Sequence, residues 1–177
     1  MGLFAIVLIF LSAKKFEPST EIPFAKDINF ATLDDGLTQP LYSSITNSGD
    51  ELQIAADQII STNQRDTALI KSANLKIFSD NGNSIFLSSD TAILNKKRKN
   101  LIFKKNVNLT KDKKIKITAP EISTALDKTL IQANGPVRGL LVNSNIQAGQ
   151  LNIFRENISG KLVISFTKGV KMVYTAY

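Results

Sequence analysis

Apolar and polar positions alternate along most of the chain beyond its first forty residues. Leu52, Ile54 and Ala56 form one run, Leu69, Ala73, Leu75 and Ile77 a second, and Leu101, Phe103, Val107 and Leu109 a third, all at even spacings. A step of two places such side chains on one face of a β-strand and their neighbours on the other. Clusters of turn-forming residues punctuate the runs: "NSGD" (47–50), "SDNGNS" (79–84), "NKKRKN" (95–100), "TKDKK" (110–114), "ANGP" (133–136) and "ENISG" (156–160). The spacing predicts short strands joined by tight turns. No stretch after residue 20 keeps a helical period, so the expected fold class is all-β. The stretch "FEPSTEIPFAKDINFATLDDGLTQP" (16–40) holds three of the five prolines and keeps no period, so residues 16–39 read as a linker and 40–177 as the β-domain.

Within that domain one phrase recurs. "IAADQII" from Ile54 is echoed by "LSSDTAI" from Leu87, "ITAPEIS" from Ile117 and "IQAGQLN" from Ile146, at intervals of 33, 30 and 29 residues. Each unit reads as a strand, a turn and a second strand such as "NLIFKKNVNL" (100–109). One hairpin cannot bury its apolar face alone, whereas stacked hairpins share one interior. The repetition therefore predicts a twisted jelly roll or open sandwich, with an open barrel as the other closure. Ile54, Leu75, Ile77, Phe103, Val107 and Ile117 form the expected inward row. They line a groove if the layers stay apart and a plain core if they meet, and the same choice applies to Phe86 and Phe166.

An open stack also leaves a first and a last strand with unpaired backbone groups. The last, Leu162 to Tyr174, is long and apolar. Leu162, Ile164, Phe166, Val170 and Met172 are thus the expected junction with a partner that adds a strand there.

The N-terminus adds a different signal. "GLFAIVLIFLSA" (2–13) is an unbroken apolar run ending at Lys14 and Lys15. As a helix it would be ~18 Å long against a hydrocarbon core of ~30 Å. Residues 1–15 are expected to form an N-terminal apolar helix acting as a membrane anchor, with a signal-peptide core and a buried helix as the alternatives.

Composition narrows the chemistry. Cysteine and histidine are both absent, which removes thiolate nucleophiles, His-based triads, zinc fingers and disulfides. No catalytic constellation, metal site or cofactor motif is expected. Asp34 and Asp35 before Gly36 read as a turn, and Asp57 and Asp90, at equivalent repeat positions, read as strand ends because Pro120 and Gly149 replace them elsewhere.

Charge is unevenly spread. Residues 96–116 carry 10 Lys and Arg against 1 acidic residue, while residues 1–95 carry 6 against 11. A solvated turn accounts for Lys96, Lys97, Arg98 and Lys99; a site for anionic groups is the alternative. Nucleic acid is not an expected partner, since Phe103 is the block's one aromatic and no stacking platform exists.

Several of these stretches, in their order, resemble the LptC family. They are "PLYSSITNSGDELQIAADQII" (40–60) with Gly49, Ala56 and Asp57, the segment with Pro136, Val137 and Gly139, the Ala148–Gly149 step, and the closing Gly169 to Met172. The resemblance covers roughly residues 40–174. It implies a non-enzymatic lipopolysaccharide-binding component of a trans-envelope bridge, held at the inner membrane by a single span with its C-terminal domain in the periplasm. It further implies docking on an LptB, LptF and LptG transporter through the first strands and transfer to an LptA-like protein through the last. On that footing the inward row would meet acyl chains. An envelope assembly protein that pairs by strand edges without carrying lipid is the other functional class compatible with the sequence.

Overall fold

The alternating runs become twelve antiparallel strands: β1 (Leu37–Thr38), β2 (Leu41–Ile45), β3 (Glu51–Ala55), β4 (Gln58–Ser61), β5 (Thr67–Phe78), β6 (Ser84–Asn95), β7 (Asn100–Lys111), β8 (Ile115–Ala125), β9 (Leu130–Leu141), β10 (Ser144–Arg155), β11 (Leu162–Thr167) and β12 (Lys171–Tyr174). This computed structural model describes residues 37–174 except 65, 80, 81, 157 and 158. The expected anchor and N-terminal helix, residues 1–15, lie outside the described residues. Among the described residues no helix is long and apolar enough to cross a membrane.

All twelve strands belong to one open sheet, in which each strand from β5 to β11 pairs with the one before it. β1 and β2 behave as one strand interrupted at Gln39 and Pro40, since both pair with the next interrupted strand, β3 and β4, in a single register. β11 and β12 likewise flank β10, one on each half of its length. The sheet is thus a meander of nine long strands, each broken or bent near its middle.

The bends explain how one sheet makes its own core. Residues with positive φ sit along the bend line: Ser72 (53°) in β5, Lys105 (61°) and Asn106 (53°) in β7, Gly135 (111°) in β9, and Lys168 (61°) and Gly169 (74°) between β11 and β12. At that line the sheet folds into two leaves whose inner faces meet. The first leaf holds β1, β4, the 67–71 part of β5, the neighbouring halves of β6 to β10, and β11. The second holds β2, β3, the 73–78 part of β5, the remaining halves, and β12. Residues of both inner faces form a single buried cluster, with Leu52, Leu101, Phe103, Ile122, Ile131, Leu151 and Ile153 at 0% exposure. Burying each such side chain stabilises the fold by about 1.5–3 kcal/mol.

Two kinds of bend alternate. In β6, β8 and β10 the inward positions step by three across the bend, Ser89 to Ala92, Ala119 to Ile122, and Ala148 to Leu151. In β7 and β9 they step by four, Phe103 to Val107 and Ala133 to Val137, because each carries one residue more than both neighbours. An extra residue on one strand is a β-bulge, which turns the strand and tightens its twist. The four repeated stretches are therefore the bends of alternate strands. Their first residues, Ile54, Leu87, Ile117 and Ile146, lie on one rung: Ile54 faces Leu75, which faces Leu87, then Leu109, Ile117, Gly139, Ile146 and Met172. Ala56, Ser89, Ala119 and Ala148 are small and buried just before the bend.

Three expectations need correction. The strands are long, not short, because each bend interrupts the period of two and makes one strand look like two. "ANGP" (133–136) lies inside β9. Its positive-φ glycine and its proline, which lacks a donor, suit a bulge as well as a turn. Asp57 does follow the end of β3, but Asp90, Pro120 and Gly149 are mid-strand bend positions. Asp90 accepts a hydrogen bond from the Asn106 side chain at 2.7 Å, across the bend from β6 to β7.

Candidate functional site

The six residues of the expected inward row all face the interior. Ile54, Leu75 and Ile117 share one rung; Ile77 lies one inward step beyond Leu75 along β5, and Val107 faces Ala119 on the opposite side of that rung. Phe103 belongs to the first leaf, between Ala92 and Ile122. None is more than 7% exposed, so the leaves are in contact over them. Of the other aromatics, Phe166 packs partly against the core, whereas Phe86 lies on the outer face, edge-on to Phe78 at 6.1 Å and 89°.

The interior is uncovered at one corner. Met172 faces Ile146 on the inner side of the second leaf, yet Met172 is 55% exposed. Val170 and Tyr174 are also exposed there, with Val142 in the turn after β9, whereas Val173 and Leu140, the two partners of Asn145, are exposed on the outer face. Close backbone approach ties β10 to its neighbours, beside this corner and at the bend. A Cβ on Gly139 would lie 2.5 Å from Ile146 Cγ2, and one on Gly149 would lie 2.5 Å from the Lys168 carbonyl oxygen, which accepts the Gly149 N–H at 2.8 Å.

Of the expected junction residues, Leu162, Ile164 and Phe166 lie in β11, partly buried against the core, and Met172 lies in β12. Val170 lies in neither strand: Lys168 and Gly169 turn the chain, so the expected single final strand is two. Both strands are edges, since among the described residues each pairs only with β10. The direction of the free donors follows from the ladder. Glu156 N–H donates to Lys161 and Arg155 N–H to Thr129, so successive amides of β10 point alternately at β11 and β9. Ile153 therefore aims its amide at β9, and that of Ile164, its partner on β11, faces the open edge.

The corner at the other end of the second leaf is shut by polar groups. Asp50, 1% exposed at the start of β3, accepts two hydrogen bonds from Arg155 at the end of β10, one from Nη2 to Oδ1 and one from Nε to Oδ2 at 3.1 Å. Thr129 donates its hydroxyl to the same carboxylate, and Arg155 Nη2 donates to Ser79 Oγ at 2.8 Å. Asp50 N–H donates to Thr46 Oγ1 at 3.1 Å, and Asn47 N–H crosses to the Asp127 carbonyl at 2.8 Å. Burial opposes ionisation of Asp50, but the bonds from Thr129, Arg155 and Ser79 and the Arg155 charge outweigh it and hold the carboxyl below the ordinary aspartate range. Sequence reading had Asp50 only as part of a turn. No local pattern reveals a partner 105 residues away.

The basic block does not form one patch. Lys96, Lys97, Arg98 and Lys99 make the turn after β6, whereas Lys113 and Lys114 make the turn after β7, at the other end of a twelve-residue strand. Lys104, at the bend between them, pairs with Glu121 at 3.2 Å. On the outer face beside that bend, β8 runs between bulged β7 and β9, leaving an open cleft of 420 Å³ lined by residues that include Asn106, Thr118, Pro120, Pro136 and Arg138.

The family model described as lipopolysaccharide-assembly, LptC-related matches residues 38–156, and the chain belongs to that family. The match runs from β1 to the end of β10 and includes the bends and the polar cluster. No curated protein matches the chain. Family membership places it in lipopolysaccharide transport at the cell envelope.

Proposed function

We propose that this LptC-family chain is the lipopolysaccharide-binding module of a transport bridge. It receives lipid from an inner-membrane transporter of the LptB, LptF and LptG kind through the strands of residues 39–60. It passes the lipid to an LptA-like periplasmic protein through β11 and β12. Residues 1–15 anchor it in the inner membrane, and residues 40–177 stand in the periplasm. It binds and guides lipid and makes no covalent change to it.

One observation carries this reading: among the described residues, the apolar inner face of the second leaf continues to Met172, uncovered, at an edge strand that pairs only with β10. A second sheet added to that edge prolongs both the hydrogen-bond ladder and the apolar face. Acyl chains leaving there would have run along the rung of Ile54, Leu75, Leu87, Leu109, Ile117 and Ile146, with Ile77, Val107 and Phe103 beside it. These side chains are buried in the present arrangement, so the leaves must part for lipid to reach them.

That same burial favours the alternative, an envelope module that joins its neighbours edge to edge and carries no lipid. Photo-crosslinking separates the two. A photoreactive residue placed at Phe103, Ile117 or Met172 in the full chain, in membranes exporting lipopolysaccharide, is expected to capture lipid most strongly at Met172. Capture at none of these positions, nor at Ile54, Leu75, Ile77 or Val107, would leave only edge pairing.

A further inference from the structure

Between the closed interior and the lipid it is proposed to hold stands one step, the parting of the leaves. The contacts that oppose it differ in kind. Over most of their area the leaves touch through apolar side chains, which slide and separate gradually. At the corner formed by the β2–β3 turn and the end of β5 on one leaf, and the β8–β9 turn and the end of β10 on the other, the contact is directional. Asp50, Thr46, Asn47 and Ser79 come from the second leaf; Thr129, Arg155 and the Asp127 carbonyl come from the first.

A largely buried carboxylate–guanidinium pair is a poor choice for stability alone. The desolvation of both charges offsets most of their attraction, and an apolar pair of the same volume holds a fold equally well or better. What the ionic pair does supply is a contact with two discrete states. Joined, each charge is satisfied by the other; parted, each is satisfied by water, and intermediate separations are penalised. Arg155 has a path to water, since its side chain keeps 16% exposure against 1% for Asp50, and its Nη1 donates to the Gly160 carbonyl in the loop before β11.

We propose that the Asp50–Arg155 cluster is a latch, which holds the two leaves shut at this corner and whose release opens the interior to an acyl chain. The latch rests on the lipid-binding reading for its purpose but not for its existence. Leaf opening is localised: the tips of β3, β5 and β10 separate, while the bends, covalently continuous in each of the long strands, act as the hinge. Lipid enters by the latched corner's widening and leaves by the uncovered corner at Met172.

The test pairs two measurements on the full chain. Amide hydrogen exchange, without lipid, reports leaf opening. Labelling by a long-chain fatty acid carrying a photoreactive group near its terminal methyl reports access to the interior. In Asp50→Asn and Arg155→Gln, exchange is expected to rise at least about tenfold at residues 46–52, 76–79, 127–131 and 153–156, and to stay unchanged around Leu87, Leu109 and Ile117. Labelling of the interior is expected to rise in parallel. The joint variant Asp50→Leu with Arg155→Leu, which replaces the pair by an apolar contact, is expected to fold, to exchange at these tips no faster than the parent, and to be labelled less. It decides the matter if the single variants do not fold. Uniform acceleration of exchange, no change at the tips, or rapid tip exchange in the joint variant would overturn the latch. Localised opening without any gain in labelling would keep the latch and overturn the lipid reading instead.

Discussion

The two ends of the second leaf are built in contrary ways. At one, the first strands of the second leaf reach the last strands of the first leaf, and Asp50, Arg155, Thr129 and Ser79 fasten them. At the other, the inner-face side chains of Met172 and Tyr174 in β12 are exposed, with Val142 in the turn between β9 and β10 beside them. Both follow from one cause. Each strand is rotated relative to its neighbour in the same sense, so two leaves of a twisted sheet cannot overlap along their whole width. Where they overlap they can be locked, and where they do not the interior has a mouth. Polar residues stand at the first place and apolar residues at the second, which is the reverse of what solvent exposure alone would favour.

The strongest way to break this comparison is to remove what the corners share. Phe103 is fully buried between Ala92 and Ile122, and Phe103→Asp puts an unpaired carboxylate there. A loss of about 4 kcal/mol or more is expected, with loss of the cooperative thermal transition as the readout. Retention of a parent-like melting temperature would mean that the leaves already separate readily at Phe103.

A smaller change acts on the open corner alone. Gly139→Ala forces a Cβ against the Cγ2 of Ile146, a β-branched side chain with little rotamer freedom. Its expected cost is about 1–2 kcal/mol in denaturant unfolding. Exchange at the latched tips should not change. If those tips loosened as well, the two corners would be mechanically coupled through the sheet.

Of the two corners, acid acts on the latched one. The folded pKa of Asp50 lies below its unfolded value of about 3.9, so the stabilisation is complete above that pH and is lost as pH falls through the folded pKa. Between pH 7 and 5 tip exchange, corrected for its intrinsic pH dependence, should stay flat, and it should rise only below about pH 4. Loosening that began near pH 6 would point to another group.

The least effect on stability is expected from Ile164→Pro. Its amide faces the open edge, so proline removes a donor that β10 does not use, and the melting temperature should move by less than the equivalent of about 1 kcal/mol. Capture of an LptA-like partner should nonetheless be lost. Undiminished capture by the folded variant would move the junction away from β11. Val170→Pro, in the turn before β12, should matter less to the ladder of β11.

Much of this architecture was legible in the alternation of residues, and what was missed failed for identifiable reasons. Ile54, Leu75, Ile77, Phe103, Val107 and Ile117 were recognisable as inward because the period of two survives within each half-strand. The half-strands were not recognisable as parts of longer strands, since a three-step bend such as Ser89 to Ala92 inverts the parity that a reader follows. "ANGP" and the Lys168–Gly169 turn were confused with their opposites because bulge, bend and reverse turn draw on the same residues. Burial of the inward row depends on how far the leaves twist past each other, which no local pattern encodes. The latch was invisible for the same reason.

The alternation of bend types sets a rule for growth. Beyond β5, a strand that bends by reversing its parity is always followed by one that bends with an additional residue, so the smallest increment that preserves both the fold line and the apolar lining is a pair of strands. Two strand spacings amount to roughly 10 Å. A trough built this way lengthens only in steps of that size, each encoded by one repeat of 29 or 30 residues that contains one copy of the phrase. Duplication of one such repeat is therefore a frame-preserving event at the level of shape, and loss of a single strand is a frameshift.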